Sequence, residues 1–397
     1  MPEIRPRTNE KKQGRKRRSW LRAAMTMTLL GMACGAAVGG TAKYLPAEAE
    51  TEDMVRSASS KRGRIVMYVM DDAQMNLRSA DAEMLDQLNV SFALIREGEA
   101  DVSHWRGQKK VEAFLKKHPH VDGVLSVGGW GADGFSDACQ TEQGQQKLAD
   151  SILKIMDENG FVGVDIDWEY PGVPGTGIVS REGDVEGWYG LLEKLRAGLD
   201  LREQRSGREH ILSVALGAGD AHLNAIDPAR LNGLLDQAVV MAYDLKGFDR
   251  TTGHHAGLYP GQDIPGTGAH AVQKLVDAGL DPGRILLGIP AYGRVWRQVS
   301  GGGDGLDQRA ATSGNKSISF DAVMRLEDDG YMRYYDEKAQ AAWWFDGENF
   351  VSAEDAQSLA YKCDWLVGQG LQGAAVWQYT QDPGGDLLAL LNSGLME

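Results

Sequence analysis

Residues 161–172 read Phe161-Val162-Gly163-Val164-Asp165-Ile166-Asp167-Trp168-Glu169-Tyr170-Pro171-Gly172. An apolar, strand-like run here carries an acid at every second position. Side chains alternate faces along a strand, so Asp165, Asp167 and Glu169 point one way and Val164, Ile166 and Trp168 the other. In a closed parallel barrel the acids face inward and climb towards the C-terminal rim, where barrel enzymes keep their chemistry, while the apolar face meets covering helices. A purely structural acid line needs basic partners. None lies within the stretch, and burying three adjacent like charges is costly. Shared protons and shifted pKa values resolve the conflict, and both are marks of acid–base work.

The same texture extends to either side. Short apolar runs recur at 65–70, 90–95, 121–127, 161–168, 211–216, 238–242, 285–289 and 373–377. Between them lie helical patterns such as 82–88, 109–117, 143–159, 185–205, 228–235 and 269–278. Near-continuous apolar strands alternating with helices describe a parallel sheet covered on both faces. Eight units predict an α/β fold, a (β/α)8 TIM barrel, which takes ~250 residues plus insertions. A doubly wound open sheet is the competing topology, but no Gly-rich dinucleotide loop follows the first strands. The rhythm breaks at 297–350, where short aromatic strands at 333–336 and 342–345 flank loops and a turn at Asp346-Gly347. This predicts a small α+β insertion after strand seven. A helix at 353–368 and strand eight then resume the barrel. The glycine run 301–303 is read as a loop.

Composition and charge narrow the function. Hydrophobic residues make up 42% of the chain and charged residues 25%, enough apolar material for a large core. Residues 1–22 hold nine Lys/Arg and two acids, a net of +7, which leaves −21 on the rest of a chain whose total is −14. A body that acidic argues against nucleic acid binding. The basic tail leads into an uncharged, Ala/Gly-rich run at 23–40. Together they describe an export signal cleaved after Ala42 or Ala49. The alternatives are an uncleaved signal anchor, which would give the chain its one contact with a membrane, and lipid attachment at Cys34. The expected organisation is signal and tail at 1–49, linker at 50–63 and catalytic barrel at 64–392. Cys139 and Cys363 remain after cleavage and make no disulfide framework.

Five short motifs in barrel order then carry a resemblance. They are Ser126-Val-Gly128-Gly129-Trp130, the line Asp165-x-Asp167-x-Glu169, Met241-Ala-Tyr243-Asp244, Tyr292-Gly293-Arg294 and a strand-eight Trp377. The set resembles glycoside hydrolase family 18, the chitinase family, over nearly all of 64–392. One position departs from it: the family usually places an Asp three residues before the first carboxylate, where this chain has Val162. By alternation residue 162 lies off the face of the acids, so the change touches support for the site and not the reacting groups.

The resemblance implies hydrolysis of β-1,4-linked N-acetylglucosamine polymers such as chitin by a monomer that needs no metal or other cofactor. Glu169 at the rim would protonate the glycosidic oxygen. The 2-acetamido oxygen of the substrate would act as nucleophile, since the family is an exception to two-carboxylate hydrolysis. Asp167 would hold the acetamido N–H and share a proton with Asp165, and Tyr243 would bond the acetamido oxygen. Asp244, Met241, Tyr292, Arg294 and Tyr170 would line the cleft, with Trp377 under the −1 sugar and Trp130 at a neighbouring subsite. Two alternatives share the fold: an endo-β-N-acetylglucosaminidase acting on glycans or peptidoglycan, and a non-catalytic sugar-binding lectin. Family lectins typically lack the final Glu, which is present here. Other candidates read as bland. His254-His255 is expected on a solvated loop, Glu327-Asp328-Asp329 on a solvated face, and Tyr334, Tyr335, Trp343 and Trp344 in the core of the insertion. Asp71-Asp72 are rim residues without an assigned role.

Overall fold

The alternation read from residues 161–172 is realised in a closed sheet. The computed structural model describes residues 63–396 other than 73, 175–176 and 262–265. The expected signal, tail and linker up to residue 62 lie outside them. Seven strands come first: β1 (Arg64–Met70), β2 (Gln87–Arg96), β3 (Asp122–Gly128), β4 (Gly163–Asp167), β5 (Ile211–Gly217), β6 (Gln237–Met241) and β7 (Ile285–Pro290). An insertion follows with β8 (Tyr292–Trp296), β9 (Lys316–Ser319), β10 (Met332–Asp336), β11 (Ala341–Phe345) and β12 (Phe350–Ala353). The eighth barrel strand is β13 (Gly373–Trp377). Barrel neighbours run β1-β13-β7-β6-β5-β4-β3-β2, and β2 pairs back with β1. All these pairings are parallel, so this is a (β/α)8 TIM barrel. The main helices are α1 (Gln108–Lys117), α2 (Glu142–Glu158), α3 (Asp184–Ser206), α4 (Gly268–Asp277), α5 (Ala356–Gly368) and α6 (Asp386–Leu395).

Strand parity sorts the core into two compartments. Ile65, Met67, Val69, Leu125, Val127, Val164, Ile166, Leu212 and Val214 pack outward with helix residues such as Leu148, Ile152, Leu192 and Leu195. Val66, Tyr68, Val239, Leu286 and Ala375 form a small inner cluster against Trp377. The first residues of β2 and β6 close the barrel floor with a reciprocal amide pair. Gln87 Nε2 donates to Gln237 Oε1 at 2.9 Å, and Gln237 Nε2 donates to Gln87 Oε1 at 2.8 Å. Each amide thereby answers the other in a place where an unmet polar group would be destabilising.

The insertion is a five-stranded antiparallel sheet ordered β9-β8-β12-β11-β10. It takes in Tyr292–Trp296 ahead of residue 297 and continues to Ala353, so Tyr292 and Arg294 stand on its first strand. Successive residues face opposite ways: Trp344 packs with Val295, Leu326 and Val351, and Trp343 with Trp296, Phe345 and Phe350. Tyr334 and Tyr335 pack against these two clusters, and residues 327–329 are exposed, as expected.

Three helix expectations need correction. Residues 82–88 are not a helix: a single turn Ser79–Ala82 ends there, and Gln87 already pairs with Val66 and Asp122. Leu85 and Leu88 are buried three residues apart, which mimics a helical face, but one plugs a loop and the other is a strand residue. The segment 228–235 keeps one helical turn, Pro228–Leu231. The helix expected from 353 begins at Ala356, because Ala353 still pairs with Ala342 and Asp355 caps the helix by accepting from Ser358 N at 2.8 Å. Cys139 and Cys363 are both buried.

Candidate active site

The three acids end β4 and its exit at the C-terminal rim, and the residues around them come from other strands or their exits. Asp165 is fully buried, in register with Ser126 on β3 and Ser213 on β5. Its Oδ2 accepts from Ser126 Oγ at 2.7 Å and from Tyr68 Oη of β1 at 3.1 Å. Burial raises the Asp165 pKa, against these hydroxyl donors. Burial also drives Asp167 well above the usual carboxylate range, reinforced by the charges of Glu169 and Asp165. The Oδ1 atoms of Asp165 and Asp167 have no hydrogen-bond partner among the described residues. Two such carboxyls share protons in preference to ionising together.

Glu169 is 8% exposed. Burial pushes its pKa up to about 7, with a contribution from Asp244 and a countering hydrogen bond from Tyr170. It is therefore an acid that keeps its proton well above the usual carboxylate range and gives it up around neutral pH. Gly128 lets this arrangement close. It has φ +113°, and a Cβ there would lie 2.1 Å from the Asp167 carbonyl oxygen. The next residue, Gly129, donates its N–H to that oxygen at 2.8 Å.

Facing the acids, β6 ends in Met241 and the chain turns through Tyr243 and Asp244. Burial holds the Tyr243 phenol protonated, so its O–H remains a donor, and the charges of Asp167 and Glu169 add to this. Gly288 makes room for its ring: a Cβ there would lie 3.0 Å from Tyr243 Cε1. Arg294 grips Asp244 with two nitrogens, Nε at 2.7 Å from Oδ1 and Nη2 on Oδ2. Burial alone would raise Asp244, but His255 and Arg294 outweigh it and hold the carboxylate well below its usual range. Tyr292 stands edge-on to Tyr243 at 6.3 Å. Trp377 lies across the barrel mouth, stacked on Phe92 at 5.5 Å and tilted against Tyr68 at 5.9 Å. The Glu169–Tyr170 and Trp377–Gln378 peptides are cis.

The residues singled out from sequence thus converge: the acids, Tyr170, Tyr243, Asp244, Tyr292 and Arg294 form one cluster, and Tyr68 links it to Trp377. Trp130 stands apart at the surface, 62% exposed, stacked at 6.3 Å on the equally exposed Phe248, which Arg294 in turn overlies. Sequence reading missed Phe248, Phe92, Tyr68 and Ser213. Tyr68 and Ser213 were findable as polar-tipped residues on the inward parity of apolar strands; the two phenylalanines had no local signal.

Two expectations change. His254 and His255 are buried, not solvated, at 2% and 0% exposure. His254 Nε2 lies 3.2 Å from Asp336 Oδ2 on β10. The His255 ring packs on Tyr292, with Nδ1 3.6 Å from Asp244. The loop reads as polar, but the insertion covers it. Asp71 gains a structural role. Its carboxylate accepts from the backbone N–H groups of Arg106 and Gly107 and so secures the start of α1. No cluster of three His, Cys, Asp or Glu arranged for a metal ion occurs among the described residues.

Residues 64–382 match the family described as Glycosyl hydrolases family 18. Chitinase A1 of Niallia circulans is 30% identical over 297 residues, 69% of this chain and 42% of that protein. Chitotriosidase-1 of Mus musculus is 29% identical over 68% of this chain and 60% of its own length. This chain thus spans about half the length of these two relatives. The solved structure of a glycoside hydrolase family 18 N-acetylglucosaminidase from Paenibacillus barengoltzii superposes with TM-score 0.79 at 34% identity, covering 84% of this chain and all of that one.

Proposed function

This chain belongs to glycosyl hydrolases family 18, and from that membership we propose that it hydrolyses β-1,4-linked N-acetylglucosamine polymers by a retaining, substrate-assisted route. The observation that carries the reading is the run of three buried carboxyls along β4 and its exit, Asp165, Asp167 and Glu169, each with a proton affinity raised by its burial. Glu169 gives its proton to the glycosidic oxygen as the bond from that oxygen to the anomeric carbon breaks. The acetamido oxygen of the same sugar closes onto the anomeric carbon and forms an oxazolinium ion. Asp167 accepts a hydrogen bond from the acetamido N–H and offsets the positive charge, while Asp165 takes part of the shared proton. The Tyr243 hydroxyl donates to the acetamido oxygen and aims it. Water then opens the ring, passing a proton back to Glu169, and the product keeps its anomeric configuration. Asp244, fixed by Arg294, binds the sugar beside Tyr243, and Trp377 supplies the apolar floor.

A second reading within the family is release of single N-acetylglucosamine units. The likeness to the Paenibacillus N-acetylglucosaminidase along that protein's whole length favours it. Hydrolysis of N-acetylglucosamine oligomers of increasing length separates the readings. Mixed oligomeric products support a chitinase, and monosaccharide at every chain length supports the second reading. Absence of any cleavage with binding retained would leave a lectin.

A further inference from the structure

Behind Tyr170 lies a histidine that plays no part in the reaction described above. His222 sits on the single turn Asp220–Leu223 that follows β5. It is 3% exposed, and its ring lies 4.7 Å from the Tyr170 ring at an interplanar angle of 37°. Neither ring nitrogen has a hydrogen-bond partner among the described residues. Burial pushes its pKa down to about 4, so the ring is uncharged at neutral pH. The charges beside it are occupied, since Asp220 on the same turn binds Lys274 and His270. On another side of Tyr170 stands Gly217, where a Cβ would lie 2.7 Å from the tyrosine ring. The phenol is thus hemmed in by backbone and by an uncharged imidazole, and its hydroxyl meets Glu169.

We propose that His222 is a positioning residue for the general acid: with Gly217 it clamps the Tyr170 ring, and the clamped ring keeps the Glu169 carboxyl in a water-poor seat. The inference rests on the reading of Glu169 as the proton donor. The groups that face Glu169 are Asp167 on β4, Tyr170 beside it, and Tyr243 and Asp244 beyond β6. Of these, Tyr170 is the one His222 touches. Burial is the leading cause of Glu169's raised pKa and exceeds the opposing hydrogen bond from Tyr170, so admitting water past a loosened Tyr170 favours the ionised carboxylate. The proton is then lost at lower pH.

The test is the pH dependence of kcat and KM on a chromogenic N-acetylglucosamine oligomer. For His222→Ala, the alkaline limb should move down by about one pH unit, with kcat reduced about tenfold and KM within about twofold. His222→Phe, which keeps a flat ring, should hold the limb in place. His222→Leu keeps bulk without the flat face and should shift the limb in the same direction, which covers the case of an alanine variant that does not fold. A merely structural role would lower the amount of folded enzyme in all three without moving the limb. An unmoved limb in both the Ala and Leu variants, or a Phe variant displaced as far as Ala, overturns the proposal. Glu169→Gln measured alongside keeps the two readings apart. If it cleaves as fast as the parent, the acid assignment falls; if it is inactive while the His222 variants keep the parent limb, only the clamp falls.

Discussion

Glu169 concentrates the residue-scale physics. Its raised pKa means that the folded protein resists ionising this carboxyl. Above the unfolded carboxylate pKa the unfolded chain releases the proton more readily than the fold does. Folding therefore loses stability as pH rises from the unfolded pKa to the folded one near 7, and the penalty is complete above it. Glu169→Gln removes the ionisation. It should cut turnover by ~10²–10⁴-fold while leaving oligosaccharide binding in place. The same variant should gain about 1–3 kcal/mol over the parent at pH 8 and little at pH 4, which thermal melts at the two values would read. Substantial retained turnover would remove Glu169 from the acid role. In the parent, activity should decline as pH rises through about 7, where the acid loses its proton.

At the scale of elements, two features lend themselves to test. The first is the start of α5. Asp355 and Ser358 bond reciprocally across the first turn, and Arg333 Nε reaches the Asp355 carboxylate at 2.6 Å. Asp355→Ala should cost about 1 kcal/mol and lower the Tm by about 2 °C with kcat unchanged. A loss of kcat without loss of Tm would mean that α5 reports to the site. The second is the exposed ring pair formed by the β3 exit and the loop after β6. Phe248→Ala leaves Trp130 without its stacking partner. If the pair binds polymer, KM for long oligomers should rise about 2–10-fold, the range a stacked aromatic supports, with little change for the shortest cleavable substrate. Equal effects at all chain lengths would place Phe248 in the reacting subsite instead.

For the whole molecule, the proposed substrate assistance makes a prediction about polymer chemistry. Deacetylation at the −1 sugar removes the nucleophile and sets an ammonium near three carboxylates, where it can bind but not react. Chains lacking the acetyl group elsewhere should be tolerated by an acidic body that carries −21 over residues 23–397. On partly deacetylated polymer, every new reducing end should therefore be N-acetylated. Frequent glucosamine ends would require direct attack by a carboxylate and would overturn the roles of Asp167 and Tyr243. Among the described residues no helix is long and apolar enough to cross a membrane. We propose that the basic tail and the 23–40 run direct export. N-terminal sequencing from the native host should find the chain starting after Ala42 or Ala49, whereas an intact Met1 on soluble cytoplasmic protein would refute it.

Sequence by itself determined the barrel, because eight apolar runs with helices between them leave few ways to hide both faces of a sheet. It determined the acid line as well, since strand parity is a local property: once residues 163–167 are extended, Asp165 and Asp167 must share a face. Helix boundaries were less legible. The Leu85–Leu88 spacing carries no mark separating a loop plug from a strand residue until Gln87 finds its partners on β1 and β3. What only the tertiary structure decided is what each acid meets. Tyr68 reaches Asp165 across 97 positions of chain, Arg294 reaches Asp244 across 50, and the insertion turns His254-His255 from a polar loop into buried support. The proton affinities follow from those meetings. Desolvation and neighbouring charge act through space, over a few ångströms that the order of residues along the chain does not specify.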